Sequence, residues 1–427
     1  MRNPSTSSLV LALSVLVLAG TRLAPAGSGG SSYSILGLGD LRYPTGVRSA
    51  GMGYTGIGLP NPGYVNPLAP GTWSRFNRTR FEASVQYEGF GSTDGQRSRY
   101  LARMDFYGGM LAIPFSQEDG IALVAGFVPY STLNYDSYVR STYTSPADTM
   151  DYLVHNVGNG GISQGLLGLS YAPVTSLALG FSLNYLFGTL DAEATQVPFS
   201  TSYTGGNLTQ RATINGLTVT IGGTYTGLGD LTPALRPVTV GFVFTTKGAM
   251  TSRMQNIYKF TNDLITSERD TTTEIRSATS IPISYGVGLA YQASERTAIA
   301  ADFFAQPWSS AEINGSAPVS LRNSYRIGIG VERGPAKEMF PGLTERASYR
   351  FGTYYHATYA APSGYPVNEW GITAGVGLPI SGDTRVNLAL EYAHRGSTEN
   401  GLIRDNIFRL TASLNIGALW FARYEED

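Results

Sequence analysis

From Leu177 to Phe187 the side chains alternate without interruption. Leu177, Leu179, Phe181, Leu183, Tyr185 and Phe187 fall on one face of an extended strand, and Ala178, Gly180, Ser182 and Asn184 fall on the other. Successive side chains of a strand point to opposite faces, so one face of this segment is wholly apolar and the other small and polar. The same division returns at Ile281, Ile283, Tyr285, Val287, Leu289 and Tyr291 against Ser284, Gly286, Gly288 and Ala290. It returns again where Phe408, Leu410, Ala412, Leu414, Ile416, Ala418 and Trp420 oppose Arg409, Thr411, Ser413, Asn415 and Gly417. Each run reaches about ten residues or more, the length a tilted strand needs to cross a hydrocarbon layer. Such strands can cross a bilayer only as a closed barrel, because every backbone polar group must be paired within the protein.

Read along the chain, the alternation predicts strands near 80–90, 99–114, 120–135, 161–172, 176–189, 210–225, 236–249, 280–292, 296–308, 321–333, 345–359, 367–380, 384–395 and 403–420. The fold class is therefore all-β, a single antiparallel transmembrane barrel of about 14 strands. Connectors at one end are mostly short, such as Phe115–Asp119, Pro173–Thr175 and Ser381–Asp383. Those at the other are longer and more polar, notably Ser137–Gly160, Leu190–Thr209 and Met250–Thr279. That asymmetry matches the periplasmic and extracellular ends of a bacterial outer-membrane barrel, with both termini on the short-turn side.

The N-terminus agrees with export. Arg2 precedes an apolar run from Leu9 to Ala19, and Ala24-Pro25-Ala26 gives a small-x-small pattern, so a signal peptide over 1–26 is expected. Charged residues make up only 14% of the chain, against roughly 25% in a soluble globular protein. A net charge of −1 leaves no basic footprint for nucleic acid. Cysteine is absent, which removes disulfide frameworks and Cys-based metal sites.

Between the leader and the first strand, Tyr33–Phe76 is dense in Gly and Pro and follows neither a period of 2 nor of 3.6. It cannot build a core alone, and residues 27–79 are expected to fold into the lumen as a plug, with the barrel occupying 80–427. Predicted inward positions carry Arg80, Glu82, Glu88, Arg103, Asp105, Asp302, Arg326, Glu332, Arg346, Arg350, Glu369, Glu391 and Arg395, mixed with Gly286, Gly288, Gly328, Gly330, Gly375 and Gly377. Opposite charges pair across a lumen or onto a plug, Asp40, Arg42 and Arg48 being the plug's own charges, and glycines let backbone approach. A water-filled channel solvating those charges is the alternative. Trp308, Trp370 and Trp420 fall near strand ends, as an aromatic girdle requires.

Gly51-Met52-Gly53-Tyr54-Thr55-Gly56 formally matches a dinucleotide-binding GxGxxG, but neither a preceding buried strand nor an acidic residue at the required spacing accompanies it. His155, His356 and His394 lack ligand spacing, and no catalytic motif is present. The expectation is a protein without enzymatic activity, metal or cofactor.

Tyr33-Ser34-Ile35-Leu36-Gly37-Leu38-Gly39-Asp40-Leu41, then Arg48-Ser49-Ala50-Gly51-Met52-Gly53, then Asn66-Pro67-Leu68-Ala69 resemble the N-terminal region of the long-chain fatty-acid transporter (FadL) superfamily, particularly forms common in Bacteroidetes. The resemblance implies a fourteen-stranded barrel, a hatch with an Asn-Pro-Ala motif, here Asn-Pro-Leu, and passive uptake of hydrophobic molecules by lateral exit through the wall. It makes Arg48, Gly51, Gly53, Asn66 and Pro67 the plug motif. Gly126 and Pro129, which lie inside the third strand rather than beside it, are the candidate kink of a lateral gate. Expected partners are outer-membrane lipid, a hydrophobic small-molecule ligand and the barrel assembly machinery. The alternatives are a secretion-associated barrel, similar to the type IX shuttle proteins, that binds exported proteins, and a structural barrel or porin. The charged end Arg423-Tyr424-Glu425-Glu426-Asp427 departs from the terminal aromatic residue of the family.

Overall fold

The computed structural model describes residues 27–420 except 145–148, 201–204, 263–264, 272–273, 317–319, 337–341. The expected leader and the charged C-terminal end therefore lie outside the described residues. Fourteen strands wind in chain order: β1 (Thr79–Thr93), β2 (Ser98–Ser116), β3 (Ile121–Thr132, continued by Tyr135–Thr144), β4 (Thr149–Val174), β5 (Leu177–Pro198), β6 (Gly205–Tyr225), β7 (Val238–Thr245, continued by Gly248–Asn262), β8 (Ile265–Thr271, Ile275–Ile281 and Ser284–Gln292), β9 (Thr297–Gln306), β10 (Ser324–Arg333), β11 (Ser348–Ala357), β12 (Asn368–Ser381), β13 (Thr384–Arg395) and β14 (Arg404–Ala418). Neighbours pair antiparallel, and β14 returns to β1 from Arg404↔Thr93 to Ala418↔Thr79, which closes the barrel.

The alternation has the expected sense. Leu179, Phe181, Leu183, Tyr185 and Phe187 are exposed on the outside, while Ala178, Ser182 and Asn184 are buried toward the interior. Exposed Leu, Ile, Phe and Tyr recur on β6, β8, β10, β11, β13 and β14 and give the barrel its apolar outer surface. Asn184 uses its amide against Thr220 at 2.9 Å, so this inward polar group is satisfied within the lumen wall.

Three stretches expected as loops are strands instead. Most of Ser137–Gly160, Leu190–Thr209 and Met250–Thr279 continues the ladders beyond membrane height, so that β4 runs for 26 residues, β5 for 22 and β6 for 21. The hydrocarbon layer uses only about 9–11 residues of each. Where both faces meet water there is no apolar face to read, which is why the polar composition looked like loop. Cross-strand pairs hold these extensions, among them Arg211 with Asp191 at 2.8 Å and Arg140 with Asp151 at 2.9 Å.

Two further expectations are corrected. Trp308 is fully buried on a short helical turn over the lumen, its ring 4.8 Å from that of Tyr359, whereas Trp370 and Trp420 are exposed. Arg346 lies on a helical turn before β11 and is exposed, because Gly342–Arg346 turns the chain before the strand begins. The other inward charges of the expected set are buried or half-buried.

Candidate functional site

The residues before β1 pack onto inward-facing side chains from strands around the barrel. Their local structure is short: a turn at Ser32–Ile35, a one-turn helix α1 (Gly46–Ala50), and a turn at Pro70–Arg75 that begins on proline. So irregular a chain must satisfy its polar groups elsewhere. Tyr33 does so at one end, donating its hydroxyl to Ile403 O and accepting from Ile403 N at 2.9 Å; burial pushes its phenol up to about 12, so it stays a donor.

Charge holds the middle. Arg48, on α1, sets Nε 3.1 Å from both oxygens of Glu332, which also takes Arg350 Nε at 2.7 Å. Arg42 reaches Glu88 Oε1 at 2.7 Å, and the same carboxylate receives Arg409 Nε at 2.6 Å and Arg103 Nε at 2.9 Å. Asp40 accepts from Arg395 at 3.0 Å, and Arg395 also bonds Glu369. Asp302 takes the backbone N–H groups of Gly56 and Ile57 at 2.6 and 2.8 Å. The guanidinium of Arg326 sits 4.1 Å from the rings of both Tyr54 and Tyr354, and 4.9 Å from that of Tyr43. Charges removed from water are tolerated only when paired in this manner.

Glycine sets the closest approaches. Gly53, at φ +66, donates its N–H to Thr373 Oγ1 at 2.8 Å, and a Cβ there would stand 2.5 Å from Thr353 O. The barrel wall matches it, since a Cβ on Gly352 would come within 2.3 Å of Gly53 N, and one on Gly51 within 3.0 Å of Gly375 Cα. Asn66 folds the segment on itself. Its amide donates to Gly56 O at 3.3 Å, its Oδ1 accepts from Leu68 N at 3.1 Å, and its backbone oxygen accepts the Trp73 indole at 2.8 Å. Arg48 and Asn66 border one small cavity, and Pro67 is buried beside another. Arg48, Gly51, Gly53, Asn66 and Pro67 thus share the lumen, and Gly126 and Pro129 stand apart on the wall.

Beside the segment lie two cavities of about 70 Å³, one bordered by charge and one mostly by apolar side chains such as Leu41, Leu68, Leu186 and Phe304. The charged one is lined by Asp40, Arg42, Arg326, Glu369, Arg395 and Arg409, among others, and has room for about five waters. Above it, Leu38, Leu133, Ile162, Leu186, Trp308 and Tyr359 form an apolar cluster.

On the wall, β2 and β3 pair only from Ser116↔Ile121 to Gly109↔Phe127. Gly126 lies inside this ladder, where a Cβ would meet Met110 Sδ at 2.1 Å, so it makes room for Met110. Pro129 lies beyond it, at a register shift against β4 between Pro129 and Ser131 that leaves Tyr130 as the extra residue. Arg409 and Asp405 are members of the charged interior that the sequence reading did not single out, although Arg409 stood on the polar side of its strand. Among the described residues there is no cluster able to hold a metal ion.

The family model described as BamG matches residues 8–426. Solved structures with a similar fold include a FadL homologue from Pseudomonas aeruginosa at 13% identity, with a TM-score of 0.57, covering 88% of this chain and 98% of that one. The toluene transporter TodX of P. putida is similar at 16% identity, with a TM-score of 0.56 and coverage of 88% and 98%. So is the Ralstonia pickettii toluene transporter TbuX at 15% identity, with a TM-score of 0.56 and the same coverage. At these identities the likeness is one of fold. Comparison with curated protein sequences finds no match. The apolar outer surface, the closed ladder and this fold place the chain in the bacterial outer membrane.

Proposed function

The chain belongs to the BamG family, and from that membership we propose that it is an accessory component of outer-membrane barrel assembly, a closed barrel that works through its outer surfaces. In this reading the mature chain divides into a plug, residues 27–79, and a barrel, residues 80–427, with 1–26 removed on export. The observation that carries it is the buried charge around Glu88, Glu332 and Glu369, which ties the N-terminal segment into a network across seven strands and borders a lumen cavity of only about 70 Å³. An apolar ligand gains roughly 25 cal/mol per Å² of apolar surface it buries. Against Arg42, Glu369 and Arg409 it would instead desolvate charges.

A second reading, passive uptake of hydrophobic small molecules such as long-chain fatty acids, with exit through the wall, is favoured by the short β2–β3 ladder and the bulge at Pro129. TodX and TbuX are named as toluene transporters. Deleting the gene separates the two. The assembly reading expects the folded fraction of other outer-membrane barrels to fall while uptake of a fluorescent fatty acid is unchanged. Normal barrel levels with reduced uptake would reverse the order.

A further inference from the structure

We infer that the start of the N-terminal segment is part of the barrel wall itself and closes the gap between β2 and β3, with Gly27 and Ser28 on the β2 edge and Asp40 and Leu41 on the β3 edge. Above Gly109 and Phe127 those two strands no longer pair with each other. Their edges are taken by the N-terminal segment instead. Gly27 and Ser28 pair in parallel with Leu101 and Ala102 of β2, and Asp40 and Leu41 pair antiparallel with Thr132 and Ser131 of β3. Arg42 N continues the second contact to Tyr130 O at 2.8 Å, and Ser131 Oγ donates to Leu38 O at 2.6 Å. Ser34 Oγ donates to Asn134 O at 2.9 Å.

The composition of the tract fits the width of the gap. Gly27-Ser28-Gly29-Gly30-Ser31-Ser32 has no side chain larger than a hydroxymethyl group. At Gly30 a Cβ would stand 2.9 Å from Asn134 O on one side and 3.4 Å from Arg103 Nη1 on the other, and at Gly29 one would stand 3.2 Å from Leu101 Cδ1. The backbone therefore threads between β2 and β3 where side chains would not pass. This part of the wall is at bilayer depth, because Met104 and Phe106 of β2 present 67% and 48% of their surface outward. Unpaired N–H and C=O groups there would face hydrocarbon, at a cost of several kcal/mol each. The two short pairings supply partners on the two edges, and withdrawal of the segment would open the wall from the lipid side toward Tyr107 and the charged lumen. The inference holds under either proposed function.

The chain has no cysteine, so two engineered pairs report the geometry in isolated outer membranes. Ser28→Cys with Ala102→Cys tests the β2 contact, and Leu41→Cys with Ser131→Cys tests the β3 contact. Both are expected to cross-link on mild oxidation, with a mobility shift that reductant abolishes. A folded barrel in which the first pair fails to link, with or without the second, overturns the inference. The sealing role has its own readout. With the leader and cleavage site retained, residues 27–32 deleted, and the exposed Trp370 and Trp420 replaced by Phe, the fluorescence of Leu133→Trp should become more strongly quenched by brominated phospholipid than in the same chain without the deletion; equal quenching overturns it.

Discussion

Glu88 shows how much of this molecule is decided by single residues. Its side chain is fully buried, and its two oxygens receive Arg42 from the N-terminal segment, Arg103 from β2 and Arg409 from β14. Removing the carboxylate takes away the one group that these three guanidinium groups share and leaves them turned toward one another. Breaking a buried pair in this way costs about 3–5 kcal/mol, so Glu88→Ala should lower the temperature at which the heat-modifiable folded band is lost. Arg140→Ala removes a pair whose partners are 68% and 42% exposed, and exposed pairs contribute little; it should leave that temperature unchanged. Equal behaviour of the two variants would contradict the weight given to the interior. Glu88 was legible as an inward charge because its strand alternates. Which charges meet it was not, because bringing Arg42 to Glu88 of β1 depends on where an irregular segment lies in space, and no periodicity encodes that.

At the scale of elements, the same rule explains what the sequence reveals and what it hides. Lipid on one side and a polar lumen on the other imprint a clean alternation on Leu177–Phe187, and all fourteen strands were found by it. Beyond the membrane, Asp191, Glu193, Thr209 and Arg211 face water or one another, and the strands there carry no such imprint. Gly126 misleads for a related reason: it reads as a break, yet it is a vacancy in the ladder shaped for Met110. The projecting halves should accordingly be separable from the membrane halves. Replacing residues 192–210 by Asn-Gly joins Asp191 to Arg211, which are already register partners across β5 and β6, through a turn suited to a two-residue hairpin. The shortened chain should still give a heat-modifiable folded barrel in lipid. Loss of the folded form would mean that the extension nucleates or holds the wall below it.

On the scale of the whole molecule, a barrel of fourteen strands is wide enough to need filling, and here the filling is the chain's own N-terminal segment. The irregularity of Tyr33–Phe76 is the condition for this: Gly51, Gly53 and Gly71 meet the glycines of the wall, and a regular helix or strand could not follow that surface. Arg48 with Glu332, Asp40 with Arg395 and Arg42 with Glu88 then fix it at separate points around the lumen. The cavity left among these charges is only about 70 Å³. Single-channel recording of the full-length protein in planar bilayers tests this most directly. The account predicts a folded, membrane-inserted protein with no steady conductance, and brief openings once Glu332→Ala releases Arg48. A stable ohmic conductance from the unmodified protein, of the kind an open porin gives, would contradict it.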